Sequence, residues 1–414
     1  MKKILAVLLA LMLALSFVSC AQKPAESQAP ATENKNSAAP AAEGNIKIGL
    51  YGPLTGPNTM NGLAMVQGAE LAIKEINEAG GLLGRQLELI ALDDKSNAEQ
   101  AVKDVTRLCE VDKADMILAS VHSTHILASA DIIMKNKTPS LGMGTSPTWL
   151  QGEGKDYLFR VLPSNQLSNI AIVNAAKSVG ATKMGIIYRA DEAGTTNQKS
   201  LTKLFEENGL ELIGAEAFQP NDTDMSGQLN KLIKAGMDGL VCCGTTADPI
   251  TILNQLKKTS YTGKVFGAEI FSPYTIKEST GGGANGVIYA APYALPKDIA
   301  QANGELEKNF LTNFKAHFGK MPESDVTYRT YDAMMLYKNA VEACKSVDGE
   351  TVKNALDNIE GFEGLAGTFN FKTAKDQGKH GEGILSCRTY VIEDNNDILI
   401  DDAKLAEIKQ NWKK

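Results

Sequence analysis

Four small groups of polar residues fall where apolar runs hand over to helical patterns. They are Ser120-Val121-His122-Ser123-Thr124, Gly144-Thr145-Ser146, Gly244-Thr245-Thr246, and the lone acid Glu269 after Phe266-Gly267-Ala268. Hydroxyls and the unsatisfied N–H groups of a helix start suit a carboxylate, and a single acid facing them suits an ammonium. The chemistry they point to is the holding of a small zwitterion. Ser and Thr at such places are also ordinary helix N-caps, so the pattern alone leaves both roles open.

Other chemistries find less support. His122 and His125 are three apart, a spacing that puts both side chains on neighbouring helix positions and could serve a metal. No carboxylate or cysteine stands near them in the sequence, so no metal is expected. Gly281-Gly282-Gly283-Ala284-Asn285-Gly286 fits G-x-G-x-x-G, but Val287-Ile288-Tyr289 after it reads as a strand, whereas a dinucleotide site needs a helix there. A flexible surface turn is the simpler reading. No G-x-S-x-G occurs, and Gly144-Thr145-Ser146-Pro147 lacks the final glycine. With no nucleophile constellation the chain reads as non-catalytic, and no cofactor is expected.

These residues need a scaffold, and the chain supplies an alternation of short apolar runs with longer helical patterns, the mark of parallel α/β structure. Strands are expected at 46–51, 86–92, 115–119 and 139–143. Helices between them are expected at 65–79, 98–111 and 126–134, with Val66, Ala69, Ile73 and Ile76 sharing one face of the first. A second cycle follows Phe159-Arg160-Val161-Leu162-Pro163, with helices 167–179, 196–208, 226–234 and 249–257 and strands 184–188, 211–218, 240–243 and 265–268. The remainder is too short for a third copy, so it must complete the first two. Chain crossings are expected near Leu162–Gln166, Tyr289–Ala294 and Gly378–Gly383.

The amino terminus addresses the chain. Lys2 and Lys3 precede an apolar stretch from Ile4 to Leu15, and Val18-Ser19-Cys20 looks like a lipobox, so residues 1–19 read as a lipoprotein signal and Cys20 as the lipidated residue. Residues 20–44, rich in Ala, Gln, Lys, Pro, Glu and Ser, read as a disordered tether. Acyl chains would hold the chain to a membrane surface. The formal charge of −7 becomes −9 once Lys2 and Lys3 are removed, which argues against a nucleic-acid partner. With Cys20 lipidated, Cys109, Cys242, Cys243, Cys344 and Cys387 are an odd set without a Cys-x-x-Cys, so neither a disulfide scaffold nor a redox centre is expected.

Ile46-Lys47-Ile48-Gly49-Leu50, Gly52-Pro53-Leu54-Thr55-Gly56-Pro57, Gln67-Gly68-Ala69-Glu70-Leu71-Ala72 and Ile76-Asn77-Glu78-Ala79-Gly80-Gly81-Leu82-Leu83-Gly84 together resemble the branched-chain amino-acid (leucine/isoleucine/valine) binding proteins of ABC importers. The likeness continues through Leu92-Asp93-Asp94-Lys95-Ser96, Gly144-Thr145-Ser146-Pro147 and Phe159-Arg160-Val161-Leu162-Pro163-Ser164, and weakens after Ala294. It implies a two-lobed α/β type I periplasmic-binding-protein fold. Each lobe would hold a mostly parallel sheet flanked by helices, with three hinge crossovers between lobe 1 (45–162 plus 294–378) and lobe 2 (166–290 plus 382–414).

The resemblance also assigns roles. The family's carboxylate-binding serine falls at or beside His122 and Ser123, its threonine on Thr145, Met143 supplies backbone, and Glu269 takes the place of the acid that meets an α-ammonium. Aromatic walls found in relatives are replaced by Ala193, Thr245 and Asn61, which makes the side-chain pocket more open or more polar. His122 either fills that space, adds a hydrogen-bonding group for a second polar function, or simply packs against the wall. The function implied is capture of an amino acid by a monomeric, lipid-anchored receptor on the extracytoplasmic face of a bacterial envelope, with delivery to ABC permease subunits. Chemosensing, an amide-hydrolysing enzyme, and a urea, short-amide or aromatic-acid ligand are the competing readings.

Overall fold

A computed structural model describes residues 44–412 apart from Thr246. The expected signal, Cys20 and all but the last residue of the expected tether lie outside the described residues. Two main sheets organise the rest. The first contains β1 (Ile46–Gly52), β2 (Leu87–Asp93), β3 (Met116–Ala119), β4 (Ser140–Gly142) and β5 (Leu158–Arg160), all parallel, in the order β2-β1-β3-β4-β5. In the second, β6 (Lys183–Arg189), β7 (Glu211–Phe218), β8 (Gly239–Cys243), β9 (Lys264–Gly267) and β10 (Ile288–Ala291) repeat that order as β7-β6-β8-β9-β10. A hairpin, β11 (Phe362–Gly364) and β12 (Gly367–Phe369), stands apart. Finally β13 (Arg388–Glu393) and β14 (Asn396–Leu399) add to the second sheet beside β10 as antiparallel strands, with β14 at the edge.

Both faces of each sheet are buried, as parallel strands require. In the first, Ile46, Ile48 and Leu50 point into one core while Tyr51, Ile117 and Ala119 point into another, following the two-residue period of a strand. Fully burying such an aliphatic side chain contributes about 1.5–3 kcal/mol. The helices Thr59–Glu78 and Val326–Cys344 cover one face and meet so closely that a Cβ on Gly68 would stand 2.5 Å from the Thr327 carbonyl oxygen. The second sheet is enclosed by its own pair of cores.

Several helices begin earlier than apolar spacing suggests: Thr59 rather than 65, Ser123 rather than 126, Glu192 rather than 196. Each early turn brings residues to the cleft rather than to a core: Asn61, Ser123 with Thr124, and Ala193 with Gly194. Helix 98–111 is α only to Thr106 and then widens to a π turn over Arg107–Asp112. Gly281–Gly286 forms turns ahead of β10, with positive φ at Gly281, Gly282 and Gly286, so no helix start follows the glycines. The chain passes between the sheets after Leu162, after Ala291 and before Arg388. The last crossing lies later than 378–383, because Glu382 still bridges Arg160 and Ile384 still packs in the first core. The five described cysteines are free. Among the described residues no helix is long and apolar enough to cross a membrane.

Candidate ligand-binding site

In both sheets the strand order reverses beside the first strand, and ligands in open α/β sheets bind at the carboxyl ends of strands at such a point. Those ends face one another here across a cleft with about 790 Å³ of space, part of it open to solvent. His122, Ser123, Met143, Thr145 and Asn61 line it from the first side, and Ala193, Thr245 and Glu269 from the second. All eight residues expected at a site thus border one cavity.

The first-side wall is held from behind. His122 has the extended backbone of an N-cap for the helix Ser123–Asn136, and its carbonyl accepts from His125 N at 3.0 Å. The first N–H groups of that helix turn have no intrahelical partner by construction. Ser123 Oγ accepts from Ser146 N at 3.1 Å, and the space between is so tight that a Cβ on Gly144 would lie 2.8 Å from that oxygen. Fully buried Arg160 fixes the Thr145 loop: its guanidinium donates to Thr145 O at 3.1 Å and to Ser146 O, and stacks 4.8 Å over Trp149.

The second-side wall is also preassembled. Asp191 caps the helix Glu192–Asn208 by accepting from Gly194 N at 2.8 Å. Thr245 donates through its N–H to Asp248 at 2.7 Å and accepts from Arg189 at 3.2 Å, so its hydroxyl is already engaged on the protein side. Burial raises the Asp191 carboxyl and pushes the Cys242 and Cys243 thiols well above their ordinary range, leaving those cysteines as apolar lining.

Residues that the sequence did not flag complete the cavity. Asp325 and Arg329, one helical turn apart at the start of Val326–Cys344, are 1% and 5% exposed. Arg329 pairs with Asp325, lies 3.5 Å from Glu269 Oε1 and reaches Met143 O at 3.5 Å. Glu269 is therefore not the solitary acid that the sequence suggested. Asn61 belongs to a chain of contacts in which Ser324 Oγ donates to Asn61 at 2.7 Å, Asn61 to Asn58 at 2.9 Å, and Asn58 Nδ2 reaches His122 Nε2 at 3.1 Å. Burial, reinforced by neighbouring His125, lowers the His122 imidazole to about 3, so the ring is neutral. A carboxylate that sequence proximity missed, Asp94 at the end of β2, accepts from His125 Nδ1 at 2.8 Å.

A family model described as periplasmic binding protein matches residues 45–387. The chain belongs to the periplasmic binding protein family. Members of this family bind solutes rather than catalyse reactions. This periplasmic binding protein is 25% identical over 336 residues to the Leu/Ile/Val-binding protein homolog 7 of Brucella abortus, covering 78% of its own length and 83% of that protein's. Among solved structures it is similar in fold to the Streptococcus pneumoniae branched-chain amino acid transporter substrate-binding protein in complex with isoleucine, with TM-score 0.74, 22% identity, and coverage of 86% of this chain and 99% of that one. It is similarly close to an R. palustris ABC transporter solute-binding protein in complex with benzoate, with TM-score 0.77, 18% identity, and coverage of 86% and 96%. The fold is type I, and proteins that share it hold ligands with and without an ammonium group.

Proposed function

We propose that this periplasmic binding protein captures a small α-amino acid between two closing lobes and hands it to an ABC permease. The observation that carries the reading is the juxtaposition of Ser123, Thr145 and a helix start on one wall with Glu269 on the other, around a single cavity. In this reading the cargo carboxylate meets the helix start and the hydroxyls, and its ammonium meets Glu269. Closure removes water from both charges and strengthens the pairing. Residues 45–162 with 294–378 form one lobe and 166–290 with 382–414 the other, with 382–384 better placed on the first side. Cys20 carries lipid that keeps the monomer at the extracytoplasmic face.

The side-chain end of the pocket, where Asn61, Ala193 and Thr245 stand in place of aromatic walls and Asn197 adds a further amide, favours a small or polar amino acid over leucine. Glu269→Ala tests the reading by calorimetry against whichever amino acid binds. A loss of about 3–5 kcal/mol is expected, because a buried ammonium would be left without its partner. Unchanged affinity would remove Glu269 from the site.

A further inference from the structure

We propose that Asp94, His122 and His125 form a site for one divalent transition-metal ion of the Zn²⁺ class, set into the first-sheet wall of the cleft. One ligand atom from each lies within 4.8 Å of the other two. Imidazole nitrogens and a carboxylate oxygen are the donors that Zn²⁺ accepts, at roughly 2.0–2.2 Å each. Asp94 is completely buried and His125 is 4% exposed, while His122 is partly exposed and lines the cleft. The His122 and His125 ring centroids lie 4.5 Å apart, with the ring planes tilted by 55°.

A separate observation points to a ligand. His122 Nδ1 is buried and has no hydrogen-bond partner, although Nε2 on the same ring is matched to Asn58. Leaving such an atom unpaired is unfavourable, and a bound ion would supply the missing partner. To coordinate through Nδ1, the ring must carry its proton on Nε2 and donate it outward, the usual arrangement for a metal-bound histidine. Turning the Asn58 and Asn61 amides over allows this with the heavy atoms in place. Nε2–H then donates to Asn58 Oδ1, the Asn58 amide to Asn61 Oδ1, and the Asn61 amide to Ser324 Oγ. The Ser324 hydroxyl turns to Asp325 Oδ1, which stands 3.5 Å away.

Asp94 is braced by Ser96 N and Ser120 Oγ, each at 2.8 Å, as a ligating carboxylate is by its outer partners. The ion replaces the proton between His125 Nδ1 and Asp94 Oδ2: from a neutral ring that proton moves to Nε2, and from a charged ring, which already carries Nε2–H, it leaves to solvent, so the ligand is imidazole in either case. Three protein ligands leave a fourth position, which water or a carboxylate entering from the cleft completes. The site does not depend on the cargo being an amino acid.

The test adds Co²⁺ to the purified chain and then titrates Zn²⁺ by calorimetry. The visible absorption of tetrahedral Co²⁺ should appear at one equivalent and vanish when Zn²⁺ displaces it. His122→Ala should weaken Zn²⁺ binding at least about tenfold, while His317→Ala, at an exposed position, should leave it unchanged. Asp94→Asn removes a fully buried anchor, so His122→Ala, verified as folded by circular dichroism, is the deciding variant. No stoichiometric binding by the unaltered chain, wild-type affinity in His122→Ala, or a loss in His317→Ala would each overturn the proposal.

Discussion

Arg329 Nη2 stands 3.5 Å from Glu269 Oε1, and this contact joins the helix over the first sheet to the loop after β9 of the second. The same guanidinium pairs with Asp325, which also accepts from Tyr293 at 2.9 Å. Two buried carboxylates thus share one buried cation, and the group has formal charge −1. An ammonium arriving beside Glu269 would neutralise it.

Arg329→Met should be costly for that reason. Removing the shared cation leaves Asp325 and Glu269 buried without compensation, a defect worth about 3–5 kcal/mol. Urea unfolding of the variant should show a lowered midpoint with an unchanged slope. A midpoint equal to that of the parent would mean that the acids find other partners.

Glu192 makes a second connection across the cleft. Its carboxylate accepts from Ser146 Oγ at 2.7 Å and from the Thr148 hydroxyl, both on the opposite wall, and from Thr196 at 3.1 Å on its own helix. Hydrogen bonds to a charged group contribute about 1.5–3 kcal/mol. Glu192→Ala should therefore speed cargo release by roughly 10–100-fold in stopped-flow measurements while leaving association nearly unchanged. A slowed association with unaltered release would place its role elsewhere.

The acid limit of stability should depend on Asp357. Burial opposes its charge, but His380 at 2.8 Å, Lys375 at 2.6 Å and Lys353 at 2.9 Å outweigh that and bring the carboxyl down to about 2. Because the folded group sits below the ordinary carboxylate value, its contribution is fully present above about pH 4 and is lost as pH falls toward about 2. Thermal unfolding of Asp357→Asn against the parent should show a difference of about 2 kcal/mol at neutral pH that vanishes at low pH. A difference that is the same at every pH would contradict the assignment.

His122 should stay neutral across the physiological range. Its folded value of about 3 lies below that of an unfolded histidine, so the unfolded chain takes up the proton first and stability falls as pH drops from about 6.5 toward 3. Histidine side-chain NMR in the absence of metal should find that the ring lost in His122→Ala does not titrate between pH 5 and 8. An ordinary midpoint for that ring would show that it is solvated and charged.

The strands and the repeated βαβ order were legible because apolar runs with turn residues between them are local signals, and most strand bounds fall within a residue or so of expectation. Glu269, Thr145 and Ser123 were legible as strand-end polar residues. Arg329 and Asp325 were not: the helix Val326–Cys344 is buried on nearly all sides, so its apolar period is blurred and its polar first turn reads as loop. Their i, i+4 spacing of opposite charge was the one available clue. Asp94 was invisible to a search along the chain for ligands near His125, since β1 pairs with both β2 and β3 and so brings their ends together only in the folded sheet.

Whether Glu269 receives a cargo ammonium is tested most simply by thermal unfolding of the purified chain against a panel of α-amino acids, short amides, urea and aromatic acids. A ligand at about a hundred times its dissociation constant stabilises the folded state by roughly 2.7 kcal/mol, a shift that is easily seen. Shifts should be confined to α-amino acids and abolished by Glu269→Ala. Shifts produced only by ligands that lack an ammonium group would contradict that role.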